Sequence, residues 1–378
     1  MKINKKFALL LLSTIIIAFI MMFYFNVNFK NTDIHIAALL PFDGQVSNFG
    51  EMMRNGHIMA EEEINAKLIH GEPRIKIDFY NTSHKKDLAL NRMEEASRNG
   101  IKFFVEIFGS DQAAHCFDFA NQNQIFILSG VDTKPDLIEK GRGCFYRIMP
   151  NDAEASNAIL QWAKEKELKN LAILYANDDW GLGLKQATIR NSSDLNINIL
   201  DKIEVLRNQL NFSSIVTKLK TYKLDAILLF IYPDDGGRFL KEATRQDLKT
   251  SFFATENFWG NKMTETAKNS ANDVMIVVPK TYENENLQKF KNNYKAKFGE
   301  EPTIFAIKAY DAVKFIYQIV LSSGNNTNKA KEITKKLTYS GISGKISFDK
   351  FGEYIPLGYD RLIFKKIYGN YQPIKVIH

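Results

Sequence analysis

Apolar positions along this chain follow two alternating rhythms. Compact apolar runs read as buried strands, and stretches whose apolar residues return every three or four positions read as amphipathic helices. Ile34–Leu40 is the first strand, ended by Pro41. Asn48-x-x-Glu51 then predicts a capping box opening a helix. Met53, Gly56, Ala60 and Ile64 share one face of that helix. Strands Ile75–Tyr80, Ile101–Ile107 and Ile125–Leu128 alternate with helices Lys85–Arg98 and Asp111–Asn121. The alternation resumes after Pro150. Helices Ala153–Glu167, Leu182–Asn191, Phe212–Tyr222 and Gly237–Gln246 are interleaved with strands Leu171–Tyr175, Ile199–Val205, Ala226–Ile231 and Ser251–Ala254. Strand Asp273–Val278 and helices Leu287–Phe298 and Phe305–Ser322 follow, and the tail reads as short strands at Lys345–Phe348, Tyr359–Lys366 and Gln372–Ile377. Repeated β-α-β implies parallel sheets with helices on both faces.

The longest apolar run lies outside this pattern. Residues Phe7 to Phe25 are unbroken by charge, with Lys2, Lys5 and Lys6 before them. As a helix, such a run spans roughly 28 Å, about one hydrocarbon core. A cleaved signal peptide has a shorter apolar core and small residues at its cleavage site. Here the run ends Phe23-Tyr24-Phe25-Asn26, and no cysteine precedes Cys116 for lipid attachment. We therefore expect an N-terminal signal anchor, a membrane helix over residues 1–30 with its basic flank in the cytoplasm. The remainder is expected on the periplasmic or extracellular face of the inner membrane. A signal peptide cut at a poor site is the alternative.

The residues beyond that segment are too many for one compact core and enough for two lobes. The net charge is +7, but Lys2, Lys5, Lys6 and Lys30 supply four of those charges. What remains argues against nucleic acid, and no basic cluster with interleaved aromatics occurs. Two cysteines, Cys116 and Cys144, stand in the exported part. That compartment permits a disulfide, though two buried free thiols are the simpler reading. The two cysteines and six histidines offer no metal-ligand spacing. No metal or cofactor is expected. In sheets of this kind ligands bind beyond the carboxyl ends of the strands. The loops to inspect are Pro41–Gly50, Phe108–Asp111, Ser129–Pro135, Asn177–Gly183, Tyr232–Asp235 and Thr255–Trp259.

Four stretches carry a resemblance. They are Ile36-Ala-Ala-Leu-Leu-Pro41 through Phe49-Gly50-Glu51 to Glu62-Glu63-Ile64-Asn65-Ala66; Tyr175-Ala-Asn-Asp-Asp-Trp180-Gly181-Leu-Gly183; Phe212-Ser-Ser-Ile-Val-Thr-Lys-Leu-Lys220 with Leu224-Asp225-Ala226-Ile227; and Phe298-Gly-Glu-Glu-Pro302 with Ala309-Tyr310-Asp311-Ala312-Val313. Together, in this order, they resemble the type I periplasmic binding proteins, in particular the branched-chain amino-acid (Leu/Ile/Val) group of ABC transporters. The resemblance runs from Ile34 to the C-terminus. It implies two doubly wound α/β lobes with a ligand cleft between them. Three crossovers would join the lobes, near Met149–Asp152, Val277–Lys280 and Ile342–Lys345. Lobe 1 would take residues 31–150 with 279–342, and lobe 2 residues 151–278 with 343–378.

The resemblance also implies a pocket. Ser110, at a helix N-terminus, and Val131 and Thr133 in the next loop would hold a ligand carboxylate, which suits helix N–H groups and the dipole. Trp180 and Tyr232 match aromatic positions of lobe 2. Glu256 matches the acid that pairs with a ligand α-amino group, a charge-assisted bond. Phe49 and Phe305 match apolar walls. Each has a structural alternative: Ser110 and Thr133 as caps, Trp180 and Glu256 as exposed loop residues, the phenylalanines as core. Two acids, Asp111 and Asp132, stand where the family has small neutral residues. Either they turn outward as helix caps, the expected outcome, or the ligand is not a standard zwitterion. Trp180 is bulkier than the tyrosine often found at its position.

No P-loop, H-E-x-x-H, G-x-S-x-G or Cys/His constellation occurs, so no enzyme is expected. The expected function is capture of a small polar ligand, an amino acid or a relative, by lobe closure, and delivery to an ABC permease. The alternative is a membrane-anchored ligand sensor or cell-envelope interaction module with the same fold.

Overall fold

The computed structural model describes residues 33–69 and 72–376. The expected membrane helix at residues 7–25 lies outside the described residues. Among the described residues no helix is long and apolar enough to cross a membrane.

Two sheets organise the chain. The first contains β1 (Ile34–Leu40), β2 (Ile75–Asn81), β3 (Phe103–Ile107), β4 (Phe126–Ser129) and β5 (Phe145–Arg147) in the order β2-β1-β3-β4-β5. All of its pairings are parallel. The second contains β6 (Asn170–Ala176), β7 (Asn198–Val205), β8 (Ala226–Phe230), β9 (Ser251–Ala254), β10 (Met275–Pro279), β13 (Tyr359–Ile367) and β14 (Asn370–Lys375). Its order is β14-β13-β10-β9-β8-β6-β7. This sheet is mixed, because β13 runs antiparallel to β10 and β14 antiparallel to β13. Tyr368 and Gly369, both with positive φ, make the two-residue turn that a hairpin favours. A small hairpin, β11 (Tyr339–Gly341) with β12 (Gly344–Ile346), stands apart.

Strand alternation puts apolar residues on both faces of each sheet, so each sheet has two cores. Ile36, Ala38 and Leu40 face one side of the first sheet, and Ala37 and Leu39 the other. Ala172 and Leu174 face one side of the second, and Leu171 and Ile173 the other. The helix Ser47–Ala66 buries Met53, Gly56, Ala60 and Ile64, as its spacing predicts. It packs on the helix Ile304–Ser323, which returns late in the chain to the first lobe. Gly56 makes this approach possible: a Cβ there would lie 2.3 Å from the Ala306 carbonyl oxygen.

The structure departs from the sequence reading in three places. The capping box does not form. Val46 is the N-cap without a side-chain bond, and the Asn48 Oδ1 is buried without a partner. Strand β5 and the helices Leu137–Lys140, Asn261–Ala267 and Thr327–Thr334 escaped the pattern, being too short to show a period. Ile346, Phe348 and Tyr354 pack into the first-lobe core, so the chain returns to the second sheet at Tyr359 and not at residue 343. Cys116 and Cys144 are free and buried, and burial pushes both thiols up to about 12.

Candidate functional site

The cleft between the sheets is built from loops at the carboxyl ends of their strands. On the first lobe, β3 carries a bulge against β1, and Glu106 within it has a positive φ of 74°. Strain of this kind persists only where the surroundings hold it. Here the Glu106 carboxylate is fully buried and accepts from the Gly130 N–H at 2.7 Å and the Ser129 hydroxyl at 3.1 Å. It thereby pins the start of the loop after β4 to the end of β3. Gly109 follows with φ 111°, and a Cβ there would meet Gln112 Nε2 at 2.5 Å. The helix Ser110–Gln122 starts at that point with no side-chain cap, leaving first-turn amides unspent.

Asp132 does not turn outward as expected. It is 2% exposed and accepts from the Gly109 N–H at 3.0 Å and the Ser129 hydroxyl at 3.0 Å. One hydroxyl proton therefore serves two buried acids. Burial, with the nearby Asp132 charge, pushes Glu106 up to about 8. Burial likewise pushes Asp132 up to about 7, against hydrogen bonds from Ser129 and Gly109. Asp111 does not cap the helix either. It sits half-buried in the first turn, with Gly109 at the N-cap. Its carboxyl is raised by burial and by the Asp178 charge. Ser110 is the first helical residue, and its hydroxyl accepts from the Lys134 N–H at 3.3 Å.

On the second lobe, Asp178 caps the helix Asp179–Ser193 through the Gly181 N–H at 2.9 Å. This places Trp180 on the cleft, its ring 5.5 Å from that of Tyr232. Tyr232 lies two residues beyond β8, at the N-cap of the next helix, which Pro233 starts. The Tyr232 hydroxyl donates to Asp178 at 2.8 Å, and Arg207 donates to the same carboxylate at 2.8 Å. Glu256 opens a single turn after β9. The turn is tied to β8 by the Asn257 side chain, which donates to the Ile231 carbonyl at 2.9 Å. Glu256 is 6% exposed, and its Oε2 has no hydrogen-bond partner. Burial, with the Asp152 charge adding, pushes this carboxyl up to about 8. Asp152 is itself buried and pushed up to about 7 by that burial.

These loops enclose a cavity of about 60 Å³, room for only a few water-sized groups. The structure brings all eight predicted site residues to it: Phe49, Ser110, Val131, Thr133, Trp180, Tyr232, Glu256 and Phe305. Phe49 meets Phe305 edge-on at 4.9 Å and stacks on Phe108 at 5.8 Å, forming an apolar wall. His84, Phe108 and Asn257 also line the cavity; Phe108 and Asn257 fall in loops singled out from the sequence without being named as ligand contacts, and His84 lies outside those loops. His84 follows β2, and its ring contacts the Arg207 guanidinium. Burial and that neighbouring cation hold the imidazole down to about 4, so it is neutral near pH 7. The strand-end rule would have found both residues, had the loops after β2 and β7 been included.

The lobes meet around this cavity. Besides His84–Arg207, Lys134 donates to Asp179 at 2.8 Å and Gln45 to Asp235 at 2.7 Å, each linking one lobe to the other. The arrangement is a closed cleft that buries an unpaired carboxyl and an aromatic wall. It can hold a small ligand whose donor group faces Glu256 and whose apolar part faces the phenylalanines. Among the described residues no cluster of His, Cys, Asp or Glu is arranged to hold a metal ion.

Known proteins are similar over most of this length. A family model described as periplasmic binding protein matches residues 33–353. An uncharacterized protein of Methanocaldococcus jannaschii is 26% identical, covering 88% of this chain and 84% of its own. A leucine-, isoleucine-, valine-, threonine- and alanine-binding protein of Pseudomonas aeruginosa is 22% identical, covering 85% of this chain and 87% of its own. The crystal structure of a leucine binding protein from Thermotoga maritima superposes with a TM-score of 0.80 at 21% identity, covering 91% of this chain and 99% of that one.

Proposed function

The chain belongs to the periplasmic binding protein family, and we propose that it captures a small ammonium-bearing ligand, an amino acid or a close relative, for an ABC permease. The family is one of solute-binding receptors. The single observation that carries the ligand reading is Glu256. A carboxyl 6% exposed with an unpartnered oxygen is costly unless something pairs with it. A ligand ammonium entering the cavity supplies that partner by a charge-assisted bond. The binding specificity of the Pseudomonas relative agrees with this reading.

Closure would swing the two sheets about the segments 148–151, 280–284 and 355–358, which lie between the elements of one lobe and the next. The lobes we propose are therefore residues 33–147 with 285–354, and 152–279 with 359–376. The apolar run Phe7–Phe25 supports export and a tether to the inner membrane. Such a tether also keeps a second reading open, a ligand sensor or envelope module. A permease gene beside this one favours transport. N-terminal sequencing of the mature protein should find it at or near Met1, and a start near residue 28 overturns the tether.

The ligand reading is tested by a thermal-shift panel of amino acids and their derivatives. At least one should raise the melting midpoint, and Glu256→Ala should abolish that shift. A panel without any response removes the reading.

A further inference from the structure

The charges around the cavity are one-sided. Two carboxyl groups line it, Asp132 from the first lobe and Glu256 from the second, and none of its lining residues is a lysine or arginine. The cations nearby are already committed. Arg207 is paired with Asp178, Lys134 with Asp179, and Arg147 with Glu353. His84 is neutral near pH 7.

We infer that the site takes an amine whose other polar end is uncharged, such as an amino-acid amide or ester, in preference to the free zwitterion. This rests on the reading of Glu256 as the ammonium partner. On the first lobe the place of a ligand carboxylate is contested by the protein itself. Asp132 takes the Gly109 N–H at 3.0 Å, and Asp111 already faces the helix dipole from the first turn. A ligand carboxylate would lie against Asp132 or oblige it to hold a proton. A neutral carbonyl avoids that cost. It can still accept from the Ser110 hydroxyl and from the uncapped first-turn amides of the same helix. Specificity then comes from a repulsive element as much as from an attractive one.

The test is isothermal titration of the full-length chain with alanine, leucine and phenylalanine, each offered as the free acid and as the primary amide at neutral pH. The best amide should bind about tenfold or more tightly than its acid. Asp132→Asn keeps an acceptor for Gly109 and removes the charge. It should narrow the preference for the amide over the acid several-fold, read as the ratio of the two affinities in the same variant. Should that variant fail to fold, the comparison on the unaltered protein decides alone. An acid that binds as tightly as its amide overturns the inference and leaves the ammonium reading standing. Absence of binding by acids and amides alike overturns both.

Discussion

Lys134 donates to Asp179 across the cleft at 2.8 Å, joining the loop after β4 to the first turn of a helix on the other lobe. The bond exists only while the lobes are together, so it contributes to the closed form and not to either lobe alone. The lysine side chain is 16% exposed and the aspartate 38%, which puts the pair near the weak, solvent-screened class. Lys134→Met should therefore weaken ligand binding by about two- to fivefold. The denaturant midpoint of the ligand-free protein should be nearly unchanged. Titration calorimetry and chemical denaturation on the same preparation separate the two effects. A large loss of ligand-free stability would show that the lysine serves the fold and not closure.

Four buried acids give stability a defined pH dependence. Burial raises Glu256 and Glu106 to about 8 and Asp132 and Asp152 to about 7, all above their unfolded values. The folded state then binds more protons than the unfolded one, and stability is lost as pH rises through the folded values. Buried His57 and His84 have the opposite sign. Burial depresses them to about 3 and about 4, so they cost stability as pH falls below about 6.5. Between pH 6.5 and 8 the four acids dominate, opposed only near the top of the window by Lys308, whose ammonium burial brings down to about 8. The melting midpoint of the ligand-free protein should fall across that window, and Glu256→Gln should flatten part of the slope and raise the midpoint at pH 8. A saturating amine ligand should flatten it too, because its charge offsets the carboxylate.

Much of this architecture is legible in the alternation of apolar positions. Ile34–Leu40 and the Met53-Gly56-Ala60-Ile64 face needed only local period, because core burial rewards that period directly. The loops after β3, β4, β6, β8 and β9 could be named as a site because a parallel sheet sends its strand ends to one rim. What stayed hidden depends on partners distant in sequence. Asp132 looked like an outward cap, yet it bonds to Gly109, 23 residues earlier. His84 reaches Arg207 over a separation of 123 residues. Asn48 offers a capping box by spacing, but a turn from Gly44 and Val46 starts the helix instead.

Gly56 should resist substitution despite its place in a helix. Replacing glycine by alanine there gains about 1 kcal/mol of helix propensity. Against this, the new Cβ would stand 2.3 Å from the Ala306 carbonyl and 3.1 Å from the Ala309 Cβ. Overpacking of a well-packed contact costs about 1–3 kcal/mol, and a backbone oxygen cannot move aside like a side chain. Gly56→Ala should be destabilising on balance, and Gly56→Val more so, since valine gains less propensity and adds more volume. Denaturant titration ranks the three proteins. An alanine variant as stable as the parent would mean that the two helices slide apart freely.

Arg147 carries a different kind of cost. Its guanidinium is fully buried at the end of β5 and pairs with Glu353 at 2.8 and 2.5 Å. It also donates to the Lys134 carbonyl at 2.7 Å, so it ties the cavity loop to the segment leading into the last crossover. Removing one partner of such a pair leaves a buried charge uncompensated and costs about 3–5 kcal/mol. Replacing both by apolar groups of similar volume is far cheaper. Glu353→Ala should therefore destabilise more than the double change Arg147→Met with Glu353→Leu. The double variant should recover most of the stability but bind ligand less tightly, because nothing then fixes the carbonyls of residues 132–135. Equal stability of the single and double variants would show that nearby Asp132 already compensates the arginine, and the tie to Glu353 would lose its part in positioning the cavity loop.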